Sequence, residues 1–280
     1  MGAAMLDTRS QFLRSLIRLE GHGLEIGPGY NPLLPKAEGF WVETADYTDA
    51  AGLRTKYAGN PHVEVERIET VDHVLDGGRS LAQSIGAPGA FDYIVASHVI
   101  EHTPDMLGFL QSCETLLKPD GILLLAVPDK RYCFDVFQPL TSTGQVLQAH
   151  LDGRSRPTPG ALFDDLAYNA VREDAIGWAR DDARSLRFFA ALQSAASAFD
   201  GARHSAEYHD VHVWRFVPSS FRLILHDLRA IGEIGLGERF YQDMGGHEFC
   251  VTLSAVALGC PVDRLTLAKQ ALVEHAAIRV

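Results

Sequence analysis

The chain has 280 residues, 46% of them hydrophobic and 22% charged, an ordinary globular composition that can bury a sizeable core. Its formal net charge is −11 with 12 His counted neutral; phosphate backbones need clustered Lys and Arg, so nucleic acid is not an expected partner. The longest clean apolar run, ILLLAV at 122–127, is far shorter than the about 20 residues that cross a bilayer, so no membrane span is expected. MGAAMLDTRS lacks the basic-then-apolar pattern of a signal peptide, and Cys113, Cys133, Cys250 and Cys260 show no C-x-x-C spacing. A cytoplasmic protein with reduced, structural thiols is the expectation.

In chain order, residues 8–20 carry apolar side chains at helical spacing. GLEIG at 23–27 reads as a short buried strand, and FWVETADY at 40–47 as a second with Asp46 at its end. AGLRTKYA at 51–58 predicts a helix, HVEVERI at 62–68 alternates as a strand does, and SLAQSIGA predicts a short helix. FDYIVASHVIEH at 91–102 runs from a strand into a turn. DMLGFLQSCETLLKPDG at 105–121 is an amphipathic helix stopped by Lys118, Pro119 and Gly121. ILLLAVPD at 122–129 is apolar on both faces, as in a parallel sheet covered by helices on both sides. This β-α repetition predicts a doubly wound α/β fold. The rhythm breaks between 130 and 213, a polar stretch with helical patches read as an insertion after the fifth strand that covers a ligand site. It resumes with a capped helix at 216–232 and two strands at 233–240 and 247–257. The chain is therefore expected to be a single domain, 1–280.

LEIGPGYNP, residues 24–32, ends a buried strand on two glycines and two prolines. Gly27 and Gly29 leave no Cβ in the way of a ligand. A strand, a glycine turn, and an acidic residue at the end of the next strand make up a nucleotide-binding α/β half, with Asp46 placed to accept from a ribose diol. The third glycine of G-x-G-x-x-G is missing, and Glu25 would repel a pyrophosphate. An NAD-linked oxidoreductase is therefore disfavoured, and a cationic ligand suits better.

With these motifs the chain resembles the class I S-adenosylmethionine-dependent methyltransferases: LEIGPG for the first loop, Asp46 after the second strand, FDYIVASHVIEH for the fourth strand, and LLKPDGILLLAVPD for the fifth helix and strand. HVIEHTPD and PDKRYCFD resemble a bacterial branch found beside glycosyltransferases and surface-polysaccharide enzymes. The resemblance implies a Rossmann-like sheet of seven strands, mostly parallel with the last antiparallel, and S-adenosylmethionine as cofactor. Gly27 and Gly29 would face its methionine part, Glu25 would lie near the ammonium, Asp46 would hold the ribose and Asp76 would read the adenine amino group. Ser97 and His98 would end the fourth strand near the methyl group. A turn Asp before Gly77–Gly78 is the other reading of Asp76.

His98, Glu101 and His102, at i, i+3 and i+4, would share a helical face, as metal ligands can. The small-RNA ribose methyltransferases have a similar Glu-x-x-Glu-His motif, but here His98 replaces the first Glu. No metal is expected, and Glu101 and His102 are read as bracing the loop. RHSAEYHDVHVWRF at 203–216 reads as an extended segment re-entering the core, with His204, His209 and His212 near Asp210. A histidine beside an aspartate can serve as general base, so His209 leads His212, with His98 as the rival; polar lid residues and a three-histidine zinc site are the alternatives. Lys130 and Arg131, just past the fifth strand, would hold an anionic group of the substrate, unless they pair with Asp129 and Asp135. The expected reaction is O-methylation of a sugar or glycan hydroxyl. A small natural product is the alternative acceptor, a silent cofactor-binding module the alternative role, and a homo-oligomer is open.

Overall fold

The computed structural model describes residues 2–61 and 63–278. Seven strands form one sheet: β1 (Gly23–Ile26), β2 (Val42–Asp46), β3 (His73–Val74), β4 (Phe91–Ser97), β5 (Leu117–Pro128), β8 (Gly237–Asp243) and β9 (Glu248–Ser254), in the order β3-β2-β1-β4-β5-β9-β8. The pairs from β3 to β5 are parallel, while β9 runs antiparallel to both β5 and β8. The order reverses beside β1, so the carboxyl ends of β1 and β4 flank the crevice where open α/β sheets bind ligands. The expected seven-stranded, mostly parallel architecture is what the chain adopts.

Helices α1 (Gly2–Arg14), α2 (Ala50–Tyr57), α3 (Leu81–Ile85), α4 (Met106–Leu116), α8 (Pro218–Ala230) and α9 (Arg264–Ala276) accompany the sheet. The central strands are apolar on both faces because helices cover both. Leu123 and Leu125 of β5 pack into a core with Leu107, Leu110 and Leu116 of α4 and Phe221 and Leu225 of α8. Leu124 and Ala126, alternating with them, face a second core with Leu13 of α1 and Leu33 and Leu34. Asp105 caps α4 by accepting from the Gly108 N–H at 2.9 Å, and such a cap is worth about 1 kcal/mol.

Two elements differ from expectation. The alternating stretch at 62–68 is not a strand: Val65–Arg67 is a 3-10 turn, and the edge strand is the two-residue β3 further on. His62 lies outside the described residues. Charged side chains do the work of a longer edge ladder. Asp72 accepts from the Thr44 N–H at 2.7 Å, and Glu69 accepts from the Lys36 and Ala37 N–H groups. The insertion is also not purely helical. Between 130 and 213 it carries α5 (Thr143–Leu151), α6 (Pro159–Tyr168), α7 (Leu192–Ala202) and an antiparallel pair, β6 (Ala170–Arg172) with β7 (Leu186–Phe188). Trp178, Val136 and Ala170 form its own small core.

Candidate active site

The glycine loop leaves β1 at Gly27 and Gly29, both with left-handed backbone (φ +64° and +53°). A Cβ on Gly27 would sit 2.7 Å from Val99 Cγ2, so only glycine fits. Glu25, buried within β1, accepts from the Leu33 N–H at 2.6 Å and the Leu34 N–H at 2.9 Å. Burial pushes its carboxyl up to about 7, against the pull of those two amides. Both oxygens thus brace the far side of the loop. Asp46 closes the other side. Its two oxygens accept from the Gly29 N–H at 3.2 Å and the Tyr47 N–H at 2.8 Å. A carboxylate has about four lone-pair sites, so each oxygen keeps one for a vicinal diol. Burial raises the Asp46 carboxyl, with the two amides opposing.

A sulfonium nucleoside needs a close-approach loop, a diol acceptor and no carboxylate-repelled pyrophosphate. The left-handed glycines and the spare acceptor capacity of Asp46 meet those needs, so the residues present fit S-adenosylmethionine. Asp76 lies two residues past β3, where Leu75 N–H bonds the Asp46 carbonyl. Its carboxylate is exposed and tied to its own turn, accepting from Gly78 N–H at 3.0 Å and pairing with Arg79. That is the turn geometry.

At the end of β4, His98 takes a left-handed backbone (φ +54°), costly for a residue with a Cβ and typical of places where function fixes the chain. Its Nε2 lies 2.8 Å from Glu248 Oε2 on β9. Glu248 is also gripped by Arg9 of α1 at 2.5 and 2.7 Å, and Arg9 donates to Ser97 Oγ at 2.9 Å. Burial works to raise the Glu248 carboxyl, but the hydrogen bonds from Arg9 and His98 bring it down to about 2.

Next to this lies a second group. Ile100–His102 form a 3-10 turn, and the returning segment pairs with it: the N–H groups of Val213 (2.7 Å) and Trp214 (3.1 Å) both donate to the Glu101 carbonyl. Trp214 Nε1 donates to the Thr103 carbonyl at 2.6 Å. This pairing seats His212 against Glu101 and His102. His212 Nδ1 is 2.5 Å from Asp135 Oδ2, and His102 Nδ1 is 2.9 Å from Asp210 Oδ1. Asp210 reaches the other way to Lys56 of α2 at 3.0 Å. The contact with His102 holds the Asp210 carboxyl well below its ordinary range. The Glu101 side chain is fully buried, and neither carboxylate oxygen has a hydrogen-bond donor among the described residues.

The fold keeps His98 Nδ1 3.7 Å from Glu101 Oε1 while tying its other nitrogen to Glu248, and it adds His212, which the helical spacing did not place there, beside Glu101 and His102. His209 is half-buried and makes none of the bonds that tie this group together. Asp210, expected to support His209, serves His102 instead, because neighbours on an extended segment point apart. Lys130 and Arg131 require a correction. Lys130 is 1% exposed and donates to the Val136 carbonyl at 2.7 Å. Arg131 is buried against Asp129, with contacts of 2.5–3.1 Å. Both are spent on fastening the start of the insertion, and burial pushes the Lys130 ammonium down to about 8. Neither is available to an anionic substrate. Arg9 and Glu248 were missed because they come from segments distant in sequence and no motif marks them, and Asp135, at the end of PDKRYCFD, was read only as a partner for Lys130 and Arg131.

The family described as Methyltransferase domain matches residues 2–228. Local similarity extends to a Ubiquinone biosynthesis O-methyltransferase of Haemophilus ducreyi, 50% identical over 36 residues, 13% of this chain. It also extends to the protein of that name in Xanthomonas campestris pv. campestris, 44% identical over 56 residues, 20% of this chain. The chain spans only 15% and 23% of the length of these curated relatives. Among solved structures, a SAM dependent methyltransferase from Aquifex aeolicus is 13% identical, with a TM-score of 0.43 over 87% of this chain and 88% of its own.

Proposed function

The chain belongs to the methyltransferase-domain family, and from that premise we propose that it is an S-adenosylmethionine-dependent enzyme that methylates a hydroxyl oxygen of a sugar or glycan-type acceptor. One observation carries the reading: a dense group of histidines and carboxylates stands at the carboxyl end of β4, beside the glycine loop. A polyhydroxyl acceptor offers many hydrogen bonds to such a polar wall, more than an apolar one can. The bound cofactor supplies an electrophilic methyl carbon. Gly27, Gly29 and Asp46 would hold it; His98, Glu101 and the returning segment would orient the acceptor and exclude water.

Methylating an alcohol releases a proton, and His98 is the proposed general base. Its Nε2 is engaged by Glu248, which steadies the ring and favours its protonated form, while Nδ1 faces the crevice 3.7 Å from Glu101 Oε1. In this reading the role falls to His98 rather than His209 or His212. The insertion over 130–213 is proposed as the lid on the acceptor, since it leaves and rejoins the sheet at this edge.

The test is single-turnover methyl transfer from S-adenosylmethionine to a panel of polyhydroxyl and aromatic hydroxyl acceptors. His98→Ala should lose about 10²- to 10⁴-fold in turnover with cofactor affinity unchanged, and His209→Ala should stay near wild type. Methylation confined to aromatic hydroxyls would replace the sugar reading with a small natural product, the reading that the local similarity to the ubiquinone O-methyltransferases favours.

A further inference from the structure

We propose that Glu101, His102 and His212 bind one divalent transition-metal ion of the zinc class, an ion the sequence led us not to expect. One ligand atom from each of the three residues lies within 4.8 Å of the others. His102 Nε2 and His212 Nε2 each stand 3.9 Å from the same oxygen, Glu101 Oε1. That equal stand-off is too long for hydrogen bonds, which need about 2.7–3.2 Å. The same two rings make short contacts on their other nitrogens, 2.9 Å to Asp210 and 2.5 Å to Asp135. His212 is fixed by its Nδ1 hydrogen bond to Asp135, and His102 sets Nδ1 against Asp210 as an ion-pair contact without hydrogen-bond geometry; both turn Nε2 toward the gap. Carboxylate partners of this kind orient metal-binding histidines and raise their basicity.

The second observation is Glu101 itself. A fully buried carboxylate with no donor on either oxygen is costly, and something must compensate it. The surrounding charge is already balanced elsewhere: Asp210 by Lys56 at 3.0 Å, and Asp135 by Arg215 at 3.4 Å. Among the described residues Glu101 has no hydrogen-bond donor, with only the His98, His102 and His212 rings at 3.7–3.9 Å, and a dication between it and two neutral imidazoles supplies what is missing. Tetrahedral bonds of about 2.0–2.2 Å would put the ligand atoms about 3.3–3.6 Å apart, so each imidazole nitrogen closes on Glu101 by a few tenths of an ångström, and the widest pair, within 4.8 Å, by about an ångström. Two imidazoles with one carboxylate favour zinc or its first-row neighbours over magnesium or calcium, which prefer all-oxygen sites.

Three protein ligands leave a position open, and it would take water or, on the methyltransferase reading proposed above, an acceptor oxygen. The site itself does not depend on that reading. The sequence hides it because one ligand lies 110 residues from the other two, brought in by the backbone pairing of Val213 and Trp214 with Glu101.

The experiment is elemental analysis of the purified full chain, followed by chelator stripping and titration with zinc and with cobalt, read by calorimetry and by cobalt absorption. The expected result is about one equivalent of metal, with tetrahedral cobalt bands. E101Q keeps the side-chain shape and removes the uncompensated charge, so it should fold, and it should lose about 100-fold or more in affinity. D210N, at the exposed outer partner of His102, should lose about 10- to 100-fold. S-adenosylhomocysteine binding is measured on the stripped protein and should persist, so a failed metal site and a failed methyltransferase reading give different results. No binding of either metal by wild type, or binding unchanged in E101Q, overturns the proposal.

Discussion

The two flanks of the crevice are built in opposite ways. On the β1–β2 flank the ligand would meet backbone: two left-handed glycines, held from behind by Glu25 and from the side by Asp46. On the β4–β5 flank it would meet side chains gathered from α1, the turn after β4, the insertion, the returning segment and β9. A backbone-built surface needs one short stretch of chain and a few obligatory residue types. A side-chain surface needs the whole fold to be right first. The first should tolerate distant change and the second should register it.

The sharpest test of that contrast is Asp135→Ala. It leaves His212 and Arg215 buried without their shared carboxylate, and breaking such a pair costs about 3–5 kcal/mol. Chemical denaturation should show the full loss, while cofactor affinity at temperatures where the variant is folded should stay near wild type. Weakened S-adenosylhomocysteine binding in the folded variant would mean the flanks are not separate. On the other flank, Glu25→Ala orphans two buried amides and should cost about 2–4 kcal/mol, together with cofactor affinity, because the loop is what it braces. Asp46→Ala frees two part-buried amides, so it should cost less than Glu25→Ala, about 1–2 kcal/mol of stability, and weaken S-adenosylhomocysteine by about 1.5–3 kcal/mol in calorimetry. Equal affinity would remove Asp46 from the diol.

The smallest effect concerns acid stability. The folded Glu248 carboxyl lies at about 2, below its ordinary 4.5. Its contribution is therefore complete above about pH 4.5 and is lost as pH falls through about 2. Arg9→Ala removes a bond that depresses it, so the acid-unfolding midpoint should move upward. A midpoint that does not move would detach Arg9 from the group.

The β1–β2 flank was legible because LEIGPG and Asp46 are local and the glycine requirement is steric. The alternation at 62–68 misled because a period of two is worth little without a partner strand, and charged side chains at 69 and 72 served the edge instead. The histidines at 98, 102 and 212 were visible as residues, but their grouping was not. It depends on which way an extended segment turns its side chains, on Asp135 reaching His212 rather than Lys130, and on Glu248, which nothing in its neighbourhood announces. Lys130 and Arg131 stood at the right place along the chain and faced the wrong way.

Arg9 belongs to the first helix of the chain, yet it donates to Ser97 and Glu248 at the strand ends. The first turns of a polypeptide are ordinarily where fraying, proteolytic trimming and affinity tags are best tolerated. Here those operations would act on the reactive end of the sheet. A protein carrying a fused partner before α1 could keep its fold and its cofactor and still turn over poorly, and moving the tag to the other terminus should restore it.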